Sequence, residues 1–273
     1  MRVGRPGSER FMPRLIQKRR NASAIPEDAP LDGVADQIYD TIVDAILDRA
    51  LDPGTKLPEE VFCNHYRVSR TIVRVAIHRL QYDKLVDIQR NRGCFIVVPS
   101  YEEAADVIGA RKAIEPSVIR RVSELGTDSD LARLRAHLDL EEEAYRDNDH
   151  RAALRLSGQF HLILGSIANN SCVNAFLHNL ICRSALVIAT YSDVTGCCKV
   201  NDHRRLVDLL ASRDAELAVL QMTAHLDHIE RDILNVEDSK EKPSLESVLV
   251  RYAKGGSHAT KTGQLRLVPA PSA

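Results

Sequence analysis

The chain contains no tryptophan, only three methionines and 4% aromatic residues. That scarcity argues against OB or RRM modules, which hold nucleic acid by stacking bases on exposed rings. No apolar run approaches the roughly 20 residues that cross a bilayer, and no membrane partner is expected. The basic N-terminus is not followed by the apolar core and cleavage site of a secretory signal. The six cysteines (Cys63, Cys94, Cys172, Cys182, Cys197, Cys198) form no CxxC pair and no secreted-type framework. Free thiols and a cytoplasmic location are therefore expected, with adjacent Cys197 and Cys198 a minor candidate for oxidant sensing.

What is present is ordinary in bulk and uneven in placement. A hydrophobic fraction of 44% and a charged fraction of 27% fit a soluble globular protein, and 273 residues are enough for about two cores. The net charge of -1 conceals a local excess. Arg67, Arg70, Arg74, Arg79, Lys84, Arg90 and Arg92 face only Asp83 and Asp87 within one short stretch. One basic face on a near-neutral chain fits phosphate binding by one domain.

Hydrophobic spacing divides the chain into four parts. Residues 1–33 are rich in arginine and proline, without helical periodicity, and read as a disordered basic arm. Residues 34–99 hold three helical patterns followed by two strand-like runs, and residues 100–236 hold helical patterns alone. Residues 237–273 read as a mostly disordered tail with a short helical stretch near Leu245–Tyr252. The bundle helices are expected near 101–124, 128–147, 150–168, 171–192, 199–212 and 213–235. The fold class is thus mainly α: an N-terminal winged helix-turn-helix pattern followed by an all-helical bundle.

Within the first domain, a helix over 34–50 ends at Asp52-Pro53-Gly54, and a second starts near Pro58, whose ring suits a first turn. His65-Tyr66-Arg67 is read as the turn, and Ser69 as the cap of a third helix with Val73, Ala76, Ile77 and Leu80 buried. Arg70 and Arg74 lie four apart near its N-terminus, where a recognition helix meets the major groove. Arginine's planar donor fork matches guanine or phosphate. The runs 85–88 and 94–98, joined by Arg90-Asn91-Arg92-Gly93, make a basic hairpin suited to the minor groove or backbone.

In the bundle, three histidines fall in apolar phase on separate helices. His161 shares a face with Leu154, Leu164 and Ala168, His203 with Leu206, Val207 and Leu210, and His225 with Ala218, Met222 and Ile229. Imidazoles converging from several helices are how bundles build metal centres, and neutral imidazole suits Zn or Ni.

Pro53-Gly54, Leu57-Pro58-Glu59-Glu60, Ser69-Arg70-Thr71-Ile72-Val73-Arg74-Val75-Ala76-Ile77 and Arg92-Gly93 resemble the GntR family of bacterial regulators. Ala110-Arg111-Lys112-Ala113-Ile114-Glu115-Pro116 and the three histidines resemble the FCD effector domain of its FadR-type branch. The resemblance implies DNA contacts by Ser69, Arg70, Thr71, Arg74, Arg92 and Gly93; charge alone adds Arg90. It implies effector binding by Arg111, Ser157, His161, His203 and His225, with a divalent metal on His161, His203 and His225. The sequence departs from the family at Ile72 (usually Pro), Val75 (usually Glu), Lys84 (usually Gly) and Ser157 (usually a metal-ligating Asp). Losing that carboxylate lowers the expected metal affinity, and without metal the histidines and Arg111 would still line a cationic pocket for an organic acid.

The resulting expectation is a homodimeric, ligand-responsive transcription regulator that binds a double-stranded DNA operator. It would be a repressor released by a small carboxylate, with no catalytic residues. A metal-dependent enzyme built on the three histidines is the rival, with Asp202 or Asp227 as its base. A third reading is an architectural DNA binder without ligand.

Overall fold

The computed structural model describes residues 31–192 and 200–239. The arm expected over 1–30, the Cys197-Cys198 pair and the tail from 240 onward lie outside them. Helix α1 spans Leu31–Leu47, so the last three residues assigned to the arm are helical. Strand β1 (Lys56–Leu57), α2 (Glu59–Tyr66), α3 (Arg70–Tyr82), β2 (Val86–Gln89) and β3 (Gly93–Ile96) complete the winged segment. The bundle comprises α4 (Tyr101–Leu125), α5 (Asp128–Arg146), α6 (His150–Ala168), α7 (Ser171–Tyr191), α8 (Val200–Ala211) and α9 (Ala215–Ser239).

The core of the winged segment follows from the stripes in its sequence. Ile38, Ile42 and Ile46 recur every four residues on α1 and are buried against Val73, Ala76, Ile77 and Leu80 of α3. Three boundaries differ from expectation. Helix α1 stops at Leu47, before Asp52-Pro53-Gly54, and Arg49 follows with a left-handed φ of 52°. His65 and Tyr66 are the last residues of α2, and the turn begins at Arg67, also left-handed at φ 55°. Ser69 holds the N-cap position of α3 with extended backbone, but its side chain makes no capping hydrogen bond.

The sheet has the order β1-β3-β2, all antiparallel, with Lys56 opposite Phe95 and Val86 opposite Ile96. Strand β1 was not expected, since two residues carry no alternation to read; its pairing with β3 defines it. Lys84, where the family usually has Gly, has a φ of 59°. That left-handed residue costs about 1 kcal/mol in a side-chain-bearing position.

The bundle helices start on side-chain caps. Ser100 with Glu103 and Thr127 with Asp130 form capping boxes, and Asp149 and Asn170 accept bonds from Ala152 and Val173 amides. Helix α6 is the buried axis, packed by α4, α5 and α7, with α8 against α5. By length and a mean hydropathy of 1.5 over its most apolar window, α7 meets the test for a membrane span, which the sequence reading had excluded. Its apolar face, including Leu177, Ile181 and Val187, is instead buried in the core against α4 and α6. That is how a core helix behaves.

The change at Pro99 is one of element type, and packing crosses it. The described residues from Leu31 to Val236 form one compact unit. Asn179 on α7 donates to the Asp83 carbonyl at 2.9 Å, Tyr191 donates to the Pro99 carbonyl at 2.9 Å, and Arg155 on α6 pairs with Asp48 at 2.9 Å. The placement set by these contacts brings the end of α1 over the bundle.

Candidate functional site

Two sets of polar residues stand out, one on the surface of α3 and the wing, one at the centre of the bundle. On α3, Arg70, Thr71 and Arg74 are exposed on the side opposite the buried stripe. Arg74 Nε donates to Glu59 Oε1 of α2 at 2.9 Å while its side chain remains 57% exposed. The pair is a surface one and does not cover the arginine. Not every cation of the basic stretch shares this face. Arg79 turns toward α1, pairing with Asp36 and lying 4.7 Å from the Tyr39 ring centroid.

The wing tip is built on backbone as much as charge. Gln89 stands opposite Gly93, and the Arg92 amide closes the tip by donating to the Gln89 carbonyl at 3.1 Å. Gly93 adopts φ 106°, a conformation that a Cβ would strain. Arg90 and Arg92 are both exposed. Arg92 and Lys56 lie 5.6 and 5.8 Å from the Phe95 ring centroid. Lys56 therefore joins the wing cations, and the sequence reading missed it because β1 was invisible.

At the bundle centre, α6, α8 and α9 bring together His161, His203 and His225, each at most 2% exposed. Their candidate ligand atoms all lie within 4.8 Å of one another. Each Nδ1 faces a carboxylate: His161 meets Glu115 at 2.6 Å, His203 meets Glu141 at 3.2 Å, and His225 meets Asp202 at 3.6 Å. A carboxylate at Nδ1 fixes the tautomer that leaves Nε2 with its lone pair, the arrangement behind metal-bound histidine. His203 and His225 then face each other Nε2 to Nε2 at 3.2 Å. Two nitrogens held about 2.0–2.1 Å from one tetrahedral ion stand about 3.3 Å apart, so this spacing fits a shared cation. Phe160 stacks on His203 at 4.3 Å between centroids and closes that side.

The electrostatics favour neutral imidazoles at His161 and His203. Burial lowers His161 to about 3 despite the attraction of Glu115, and burial with the nearby His225 lowers His203 well below its ordinary value. Burial opposes the charge on Glu115, but the Arg111 guanidinium and His161 hold its carboxyl well below the usual range. Glu141 lacks such a cation at contact, and burial pushes it up to about 7. Its Oε1 is buried without a hydrogen-bond partner. The hydrogen bond from His225, joined by that from His228, holds Asp202 below the usual carboxylate range.

Arg111, 2% exposed, ties this centre to a small cavity. Its Nε donates to Glu115 at 2.6 Å and one terminal nitrogen to Ser184 at 3.4 Å. The other terminal nitrogen is buried with no partner. A buried guanidinium donor left unpaired is costly unless an acceptor reaches it. The cavity, about 30 Å³, is lined by Arg111, Ser157, His161 and Ser184 on its polar side. Ser157 lies one turn before His161, where the resemblance places an Asp, and is itself hydrogen-bonded or otherwise engaged.

The structure thus gathers all five expected effector residues into one region and adds Glu115, Glu141, Asp202 and Ser184. Glu141 could have been found from phase: it continues the buried stripe of Leu131, Leu134 and Leu138. The two bases named for the enzyme reading are both engaged: Asp202 with His225 and His228, and Asp227 with Lys112 at 2.6 Å.

Comparison with known proteins agrees with both halves. The family described as "Bacterial regulatory proteins, gntR family" matches residues 34–96, and the FCD domain matches residues 106–228. The Uxu operon transcriptional regulator of Escherichia coli is 25% identical over 68% of this chain and 82% of its own length. The Exu regulon transcriptional regulator of the same organism is 26% identical over 67% of this chain and 77% of its own. Among solved structures, a GntR transcriptional regulator from a Rhodococcus species superposes with a TM-score of 0.66 at 27% identity, covering 74% of this chain and 98% of that one. E. coli McbR/YncC, at 16% identity and the same TM-score of 0.66, covers 76% and 98% and speaks for the fold alone. The chain belongs to the GntR family of bacterial regulatory proteins, in the branch carrying an FCD domain, and is a DNA-binding transcriptional regulator rather than an enzyme.

Proposed function

We propose that this regulator is a cytoplasmic homodimeric repressor that a small carboxylate releases from its operator. The observation that carries the effector half is the unpaired, buried nitrogen of Arg111, a residue that lines a cavity together with His161. A carboxylate oxygen is the acceptor that this donor lacks, and charge-assisted bonds of this kind are the strong ones.

His161, His203 and His225 would hold a divalent ion, zinc or nickel, through the nitrogens that their carboxylate partners leave free. When bound, the ion supplies a cationic centre attractive to a second oxygen of the effector. The chain's own residues do the rest. Glu115 positions both Arg111 and His161, Ser184 steadies the guanidinium, and the surrounding Leu154, Ile181 and Ile188 exclude water.

On the DNA side, Ser69, Arg70, Thr71 and Arg74 would enter the major groove, while Arg90, Arg92 and Gly93 would lie against the adjacent backbone or minor groove. Arg74 would exchange Glu59 for a base edge or phosphate on binding. Two such helices read a palindrome when they stand about 34 Å apart, one turn of DNA. A ligand favouring another spacing releases the operator, with a coupling of about 1–3 kcal/mol.

The test is an operator selected from random DNA, followed by titration with malate and citrate with and without zinc. Weakened operator binding by the wild type, absent in Arg111→Lys, is the expected result. Equal affinity for the operator with and without every acid would overturn the effector reading.

A further inference from the structure

The cavity beside Arg111 has a wall that does not come from the bundle. Leu47 and Arg49, at the end of α1 in the winged segment, line it together with Ser184 and Ala185 of α7. We propose that the effector is bound jointly by the two halves of the molecule, with Leu47 and Arg49 as ligand-contacting residues supplied by the DNA-binding half. This rests on the reading that the cavity takes a carboxylate, and it adds how binding reaches the DNA-binding face.

The argument turns on size and on which wall gives way. A cavity of about 30 Å³ has room for about one water. A carboxylate bonded to Arg111 brings a carbon body with it, so the cavity must widen. Most of its walls belong to the bundle helices, with His161 on α6, Ile181 on α7 and Ile229 on α9 buried. Close-packed walls of that kind resist displacement.

The α1 end is held unevenly. Leu47, the last helical residue, is buried in the same core, whereas Arg49 beyond it is only partly buried and sits in the left-handed region at φ 52°, which disfavours a long side chain. One tie to α6 is the Asp48–Arg155 ion pair at 2.9 Å, with both side chains more than a third exposed. A half-solvated pair is a weak tether. The residue next to that tether, Arg49, lines the cavity and carries a cation that an anionic ligand would attract. The wall that yields most easily is therefore also the one carrying a cation and continuous with α1, against which α3 packs.

The experiment uses the full-length protein and three acids of rising size: acetate, malate and citrate. Binding is measured by calorimetry in the presence of zinc, and backbone hydrogen exchange is followed at Asp48, Arg49 and Ala50, whose amides bond back to Asp44, Ile46 and Ala45. Arg49→Asn removes the cation while keeping a residue that tolerates positive φ, and Leu47→Ala opens the wall. At least one acid should bind the wild type, bind Arg49→Asn tenfold or more weakly, and speed exchange at residues 48–50. Leu47→Ala should shift the preference toward the larger acid. Binding that is lost in Arg111→Lys, yet within twofold of wild type in Arg49→Asn and silent in exchange at 48–50, would overturn this proposal and leave the carboxylate reading standing. If no acid binds the wild type, both are overturned. Unchanged melting of Arg49→Asn without ligand, and a lowered but still cooperative melt of the buried-residue variant Leu47→Ala, separate these outcomes from misfolding.

Discussion

Arg74 on α3 pairs with Glu59 at 2.9 Å with more than half of its side chain in water, whereas Arg111 on α4 pairs with Glu115 at 2.6 Å with almost none. The same bond means different things in the two places. An exposed pair contributes about 0–1 kcal/mol and can be traded for another anion. A buried pair has lost its hydration, so removing one partner leaves a stranded charge. The winged segment keeps its arginines available, while the bundle keeps its arginine committed except at one nitrogen. The difference separates a surface that meets its ligand on arrival from an interior arranged in advance.

The largest expected effect tests the interior. Glu115→Ala would strand Arg111 and deprive His161 of its partner, and should destabilise the protein by about 3–5 kcal/mol in urea unfolding; a loss below 1 kcal/mol would mean that the buried network is dispensable. Next, zinc at a hundred times its dissociation constant should stabilise the wild type by about 2.7 kcal/mol. His203→Ala should abolish that gain in thermal melting, and a gain that survives would place the metal elsewhere.

On the exposed side, Arg74→Ala should weaken specific operator binding by about 1–3 kcal/mol if it reads a base, with unfolding changed by no more than about 0.5 kcal/mol. A loss of affinity equal across sequences would reassign Arg74 to phosphate. Arg92→Ala, on the wing, should instead weaken binding to all sequences and lower the salt slope by about 1. The smallest effect is at Lys84→Gly. Relief of a left-handed residue gains about 1 kcal/mol, and the freer unfolded chain takes back roughly 0.4–1 kcal/mol. A net stabilisation under 1 kcal/mol in the same urea assay is expected.

Legibility in the sequence tracked the strength of periodic signals. The helices from α4 to α7 start and end within a residue of expectation because their caps, Ser100, Thr127, Asp149 and Asn170, are local chemistry. The three histidines were readable because each shares the phase of neighbouring aliphatics. What was not readable depends on contacts between distant residues. Strand β1 exists through its pairing with β3, and α1 ends early because Arg49 turns left-handed, with no proline or glycine to announce it. Glu141 lay in the apolar phase of α5 but was hidden in a run of three glutamates. The presence of Leu47 and Arg49 at the bundle cavity follows from how α1 docks on α6 and α7, which no local pattern encodes.

The order in which the polar residues occur along the chain has its own consequence. Every exposed arginine of α3 and the wing is synthesised before α4 begins, while the histidine centre waits for His225 on α9. A transcript cut short after α8 would encode the exposed arginines of α3 and the wing and leave Asp202 without the His225 imidazole. Premature termination would thus yield a polypeptide with a destabilised interior, open to proteases, in place of a repressor deaf to its signal.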